Sequence, residues 1–169
     1  KKYYINVITI GVLLFAQAFI GWYMVKSGLS ERVDVSQYRL ALHLTMAFII
    51  LGLTFYTLIS YLFDKDLINN NSVFINRYKS SLIILFIFIC FQISYGAFVS
   101  GTHSGLIYNT WPLYNGNIFP LIEDYHIKGV VNFFENKEYI IFIHRTFAVF
   151  ILLILFYLNY LIIVNKKQK

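Results

Sequence analysis

His43 and His144 are the residues of this chain best suited to chemistry, and their surroundings match: His43-Leu-Thr45-Met-Ala47 and His144-Arg-Thr146-Phe-Ala148, each inside a long apolar run. An ionisable group is costly in hydrocarbon, so such a histidine faces a bundle interior or a cavity and marks a function. Neutral imidazole is also the commonest side-chain ligand for metal ions. The alanine four positions on shares the histidine's helical face one turn deeper, which leaves space for a flat, bulky group. A haem ligated through its iron fits that arrangement. For either histidine alone an interhelical hydrogen bond is the plainer reading; two in matching contexts favour ligation.

Two further pairs accompany them. Gln17 with Gly21, and Gln92 with Gly96, each share a helical face at i and i+4. Glycine there permits close approach of a helix or a macrocycle, and the amide is a hydrogen-bond donor; simple small-residue packing with polar glue explains the same pattern. Arg39 lies four residues before His43, and Arg145 directly follows His144. A guanidinium beside a haem ligand suits the haem propionates, whereas an arginine taken singly reads as a snorkelling anchor at the membrane surface.

The stretch Gly101-Thr-His-Ser-Gly-Leu-Ile-Tyr108-Asn109-Thr110-Trp111-Pro112-Leu113 joins hydrogen-bonding groups, a flat ring and a rigid turn. It is expected to form a lid over a site at the outer face, or, at its plainest, an aromatic belt. His103 and His126 fall in loops and are expected to be solvated. The chain has no paired carboxylates within a span, no phosphate-binding glycine loop and no nucleophile elbow, which removes support for a conventional hydrolase or nucleotide enzyme.

The elements that must hold these residues are membrane helices. Of the 169 residues 59% are hydrophobic, 20% aromatic and 13% charged, and the mean hydropathy is +0.65; a soluble domain carries about 25% charged residues. Neither a water-soluble globule nor a disordered chain has this composition. Four apolar runs, roughly 3–25, 40–63, 81–100 and 139–164, are long enough at about 1.5 Å per residue to cross a hydrocarbon layer of about 30 Å. The longest segment between them, 101–138, holds both prolines and Gly101, Gly105, Gly116 and Gly129, and is predicted as an ordered loop or a short re-entrant structure. Cys90 is the sole cysteine, which excludes an internal disulfide and a CxxC metal site. No initiating Met and no signal-like leader precede the first run, so a stretch of a longer chain is expected.

The net charge of +6 sits at the ends of the apolar runs, the pattern of a topology signal rather than a nucleic-acid surface. Four spans put both termini on one side. That side would carry Lys1, Lys2, Lys65, Arg77, Lys79, Lys166, Lys167 and Lys169, against Lys26, Arg32, Arg39, Lys128 and Lys137 on the other, which predicts cytoplasmic or matrix-side termini. The halves also repeat. Gln-x3-Gly, Ser-Gly-Leu and His-x-Thr-x-Ala occur twice in that order, with 26 residues from Gln17 to His43 and 52 from Gln92 to His144. Spans one and three cross in the same direction, as do two and four, so the expected repeat is parallel, about an axis along the membrane normal.

The stretches Gly21-Trp-Tyr-Met-Val-Lys-Ser-Gly-Leu29, Tyr38-Arg-Leu-Ala-Leu-His43, Gly96-Ala-Phe-Val99, Gly105-Leu-Ile-Tyr-Asn-Thr-Trp-Pro-Leu113, Phe134-Glu-Asn136 and Phe142-Ile-His-Arg145 resemble haem A synthase, most closely the alphaproteobacterial and mitochondrial form. The likeness runs in family order across nearly the whole chain. It implies an all-α membrane protein of eight helices in two similar haem-binding halves, of which this chain supplies four transmembrane helices as two parallel-repeat pairs. Residues 1–63 would be the second helix pair of the N-terminal half, 64–80 the linker between halves, and 81–169 the first helix pair of the C-terminal half.

The resemblance further implies a membrane oxidoreductase that oxidises the C8 methyl group of haem O to the formyl group of haem A, for terminal oxidases. His43 would ligate the iron of the substrate haem and His144 the iron of a haem b cofactor. Gln17, Gly21, Arg39, Gln92, Gly96, Tyr108, Asn109, Trp111 and Arg145 would line the haems, and His103 is assigned no role. The family's Glu-x-x-His motif would precede Lys1 and its last ligand histidine would follow Lys169, so this stretch alone is expected to be inactive. Membrane lipid, the haem O synthase that makes the substrate and a second copy of the chain are the implied partners, in a bacterial plasma membrane or mitochondrial inner membrane. The residues themselves leave two alternatives: a b-type membrane cytochrome that only transfers electrons, with both histidines on one haem, and a non-enzymatic assembly or transport module, which would hold no haem.

Overall fold

A computed structural model describes residues 3–28, 35–62, 72–122 and 129–167 of the chain. Five α-helices lie in these stretches: α1 (Tyr4–Gly28), α2 (Gln37–Leu62), α3 (Ser72–Gly101), the short α4 (Asn132–Glu135) and α5 (Lys137–Lys167). Four of them contain stretches long and apolar enough to cross a membrane, namely Tyr4–Ser27, Gln37–Leu62, Tyr78–Gly101 and Lys137–Asn165. The protein is an all-α membrane protein, as its composition predicts. The helices outrun the predicted spans, α3 most of all, because an established helix adds each further residue cheaply and continues into polar sequence. Leu29, residues 64–71 of the expected linker, His126, and the basic residues Lys1, Lys2, Arg32, Lys65, Lys128 and Lys169 lie outside the described residues.

Hydroxyl and amide side chains inside the spans bond to the carbonyl one turn back. Thr9 donates to Ile5, Thr54 to Ile50, Ser94 to Cys90 and Asn159 to Leu155. Hydrocarbon supplies no water to satisfy such groups, so the helix's own carbonyls must.

The chain divides into two compact units, Lys1–Ile83 and Ile84–Lys169. In the first, α1 and α2 run antiparallel and are tied along their length by polar links. The Tyr3 hydroxyl donates to the Ser60 carbonyl, Asn6 Nδ2 to Thr57 Oγ1 at 3.3 Å, Gln17 Nε2 to the His43 carbonyl at 2.9 Å, and Arg39 Nη1 to Ser27 Oγ at 2.6 Å. Between helices in lipid the hydrophobic effect contributes little, so packing and such bonds set the register.

In the second unit α3 and α5 meet through rings: Phe147 lies 4.5 Å from Phe91 and 5.4 Å from Phe88, centroid to centroid. Toward the loop end of this pair Tyr95, Ala97, Phe98, Ile140 and Ile141 are buried, as are the polar Ser104 and Asn136. Asn136 caps α5, its Oδ1 accepting the Tyr139 N–H at 3.1 Å. The segment after α3 is ordered, as expected. A left-handed His103 (φ 57°) leads into a single 3-10 turn at Ser104–Leu106. Tyr114 and Asn117 exchange both backbone hydrogen bonds across Asn115 (φ 50°) and Gly116 (φ 91°), the positive-φ turn that Asn-Gly favours. A second 3-10 turn, Gly129–Val131, feeds α4.

Candidate functional site

His43 stands in the second turn of α2, and α1 grips it from two positions one turn apart. Gln17 Nε2 lies 3.3 Å from His43 Nε2 while also donating to the His43 carbonyl. That second bond identifies the amide nitrogen as a donor, so the facing Nε2 is the acceptor and the imidazole proton belongs on Nδ1. A Cβ built at Gly21 would lie 3.0 Å from His43 Cε1 and 3.5 Å from Nδ1. Only glycine lets the ring lie this close to the backbone of α1. Two atoms of the pair, His43 Nδ1 and Gln17 Oε1, are buried with no hydrogen-bond partner among the described residues.

The second unit repeats the constellation. Gln92 Nε2 lies 3.4 Å from His144 Nε2, and a Cβ at Gly96 would lie 3.3 Å from His144 Cε1. His144 Nδ1 and Gln92 Oε1 are again buried without a partner. The two units differ at the glutamine: Gln17 also donates to the carbonyl of its histidine, and no such bond from the Gln92 amide is seen among the described residues. The Gln-x3-Gly and His motifs thus correspond to one contact made twice.

The arginines do something else. Arg39 donates to Ser27 and lies 5.2 Å over the Tyr23 ring. Arg145 donates from Nη1 to the Thr110 carbonyl at 2.9 Å and from Nη2 to the Tyr108 carbonyl at 2.8 Å, and lies 5.0 Å over the Tyr114 ring. It clamps the loop that follows α3 to α5 next to His144. Tyr108 is buried, its hydroxyl donating to the Leu121 carbonyl at 3.2 Å and its ring edge-on to Tyr114 at 5.2 Å. Burial pushes the Tyr114 hydroxyl above its ordinary range, and the Arg145 charge and hydrogen bond pull part of that back.

The structure therefore brings Gln17, Gly21 and His43 together, Gln92, Gly96 and His144 together, and Tyr108 with Arg145. Asn109 and the 75% exposed Trp111 make no hydrogen bond or ring contact with the His144 constellation among the described residues. Ser27, Tyr23 and Tyr114, which complete the arginine sites, are absent from the sequence-level candidates. Asn115-Gly116 and the capping Asn136 carried readable local signals; the arginine partners carried none.

An iron-bearing macrocycle asks for a neutral imidazole in an enclosed place, with small residues where a flat body must pass. Each unit offers a half-buried histidine packed against a glycine, its Nε2 facing only the glutamine amide and its Nδ1 without a hydrogen-bond partner among the described residues. Among the described residues no three His, Cys, Asp or Glu side chains cluster to hold a bare metal ion. The imidazoles suit a metal that brings its own equatorial ligands, as a porphyrin does.

The cytochrome oxidase assembly protein family COX15-CtaA matches residues 1–169. The chain is 44% identical over 145 residues to a haem A synthase of Wolbachia pipientis subsp. Culex pipiens (strain wPip), covering 84% of this chain and 43% of that protein. It is 42% identical over 170 residues to a haem A synthase of Pelagibacter ubique (strain HTCC1062), covering 99% of this chain and 46% of that protein. The haem A synthase of Flavobacterium johnsoniae is 38% identical over 145 residues, covering 84% of this chain and 41% of that protein. The chain spans less than half the length of these relatives, and no solved structure matches it.

Proposed function

The chain belongs to the COX15-CtaA family of cytochrome oxidase assembly proteins, and from that premise we propose that it is the central part of a haem A synthase. The whole protein would oxidise the C8 methyl group of haem O to the formyl group of haem A. Residues 1–63 and 81–169 would belong to its two haem-binding halves, with 64–80 linking them. His43 would ligate the substrate haem O and His144 a haem b cofactor. The observation that supports this most is the Gln–His–Gly constellation, built once in each unit.

Haem b, held at His144, would supply one-electron chemistry. The protein's part is to hold and orient. Gly21 and Gly96 let the imidazoles lie against the neighbouring helix, and the glutamines fix the ring planes. Arg39, with one nitrogen engaged by Ser27, keeps further donors for a haem propionate. Arg145, with both terminal nitrogens on loop carbonyls, holds the outer loop over the second site. The setting would be a bacterial plasma membrane or its mitochondrial counterpart, termini on the cytoplasmic or matrix side, with haem O delivered by the synthase that makes it.

The test is a pyridine haemochrome assay on the full-length protein. Wild type converts haem O to a species with the formyl-shifted spectrum; His43→Ala retains haem b and loses that conversion; His144→Ala loses haem b. Full haem content in both variants would sink the ligand assignment. Haem binding without conversion by the wild type would instead favour the electron-transfer cytochrome.

A further inference from the structure

Each unit leaves two polar atoms unpaired, and the two are complementary. Among the described residues His43 Nδ1, which carries the ring proton, lacks an acceptor and Gln17 Oε1 lacks a donor, and His144 Nδ1 and Gln92 Oε1 stand unpartnered at the same places in the second unit. A buried donor and a buried acceptor left open in the same contact destabilise it, since each has given up water for nothing in return. The glutamine meanwhile sits on Nε2, whose lone pair is the one a metal would take. An amide N–H and an iron ion call on the same electrons.

One change satisfies all of these groups together. If the amide moves from Nε2 to the neighbouring nitrogen, Oε1 accepts the Nδ1 proton and Nε2 is left with its lone pair for iron. Gly21 or Gly96, one turn from the glutamine, presents no Cβ, so the Cε1 and Nδ1 edge of the ring lies directly against the helix that carries the glutamine. The Gln-x3-Gly spacing opposite a histidine is then a single device: the glycine brings the Nδ1 edge of the ring up to the helix that carries the glutamine, and the amide is the moving part. Metal-bound histidines characteristically donate their second N–H to an acceptor that fixes the ring and raises its basicity.

Building on the histidine ligation proposed above, we propose that Gln17 and Gln92 are positioning residues that shift from Nε2 to Nδ1 of the facing imidazole, yielding Nε2 to haem iron and accepting the Nδ1 proton. The two sites are not equivalent. Gln17 keeps its hold on the His43 carbonyl and stays poised to reclaim Nε2, which suits a site that must release its haem; among the described residues the Gln92 amide shows no such anchor, which suits one that keeps it.

The test uses the full-length, haem-loaded protein, with a redox titration and the rate of haem transfer to apomyoglobin as readouts. His144→Ala identifies the haem that depends on that ligand; if it removes none, the ligand reading itself fails, separately from the glutamine result. Gln92→Leu should keep a low-spin spectrum, shift the midpoint potential of that haem positive, and speed its transfer about 10-fold. Gln92→Glu, which retains an acceptor oxygen, should stay at or below the wild-type potential and rate. A wild-type potential and rate in Gln92→Leu, or the same positive shift in both variants, overturns the proposal. Should Gln92→Leu hold no haem, the potential of Gln92→Glu decides alone.

Discussion

At position 21 a methyl group would fall 3.0 Å from the His43 ring, and at position 96 it would fall 3.3 Å from the His144 ring. Both distances ask the ring to give by a few tenths of an ångström, the first more than the second. Gly21→Ala should therefore cost roughly 1–3 kcal/mol of thermal stability and perturb the electron paramagnetic resonance of the haem at His43. Gly96→Ala should do less on both counts, and the reverse order would contradict the geometry. These contacts were legible in the sequence because a spacing of four is the helix's own repeat, so a motif with that spacing already names one face of a helix. The partners of Arg145 were not, since they lie 35 and 37 residues away and backbone carbonyls have no side-chain identity to read.

The loop that follows α3 is best understood as an element docked by one side chain. Arg145 is the ninth residue of α5, so the carbonyls it holds are drawn about 12 Å along the helix from its start, and the loop lies beside the helix rather than above it. Hydrogen bonds from a charged donor contribute about 1.5–3 kcal/mol each. Arg145→Met should raise amide exchange across residues 104–122 by about 10-fold or more while α1 and α2 exchange as before; unchanged protection would mean the loop is held by its apolar contacts alone. Tyr114 adds a pH dependence. Its folded pKa is raised above 10.0, so its burial stabilises the loop fully below pH 10 and the stabilisation is lost as pH rises through the folded value. Exchange in the loop should accelerate in that alkaline range for the wild type, and Tyr114→Phe should remove the acceleration.

At the scale of the whole molecule, four spans were countable from composition because hydrocarbon thickness dictates the length of each run. Reporter fusions to the full-length protein test the topology. Alkaline phosphatase joined after residue 122 should be active, and joined after residue 71 or residue 167 inactive; the opposite pattern would invert the assigned orientation. What composition did not convey is how the helices lie against one another. Large apolar residues point outward all along α1, Phe15 being 80% exposed, so no greasy stripe singles out the side that meets α2. That information resides in the links Tyr3–Ser60, Asn6–Thr57, Gln17–His43 and Ser27–Arg39. They act like the teeth of a key: a slip of one helical turn, about 5.4 Å, disengages all of them at once, whereas most apolar neighbours would find equivalent company after the slip. Sensitivity to substitution in the first pair should accordingly concentrate at those few polar positions, with the long apolar runs between them tolerant of exchange among similar side chains.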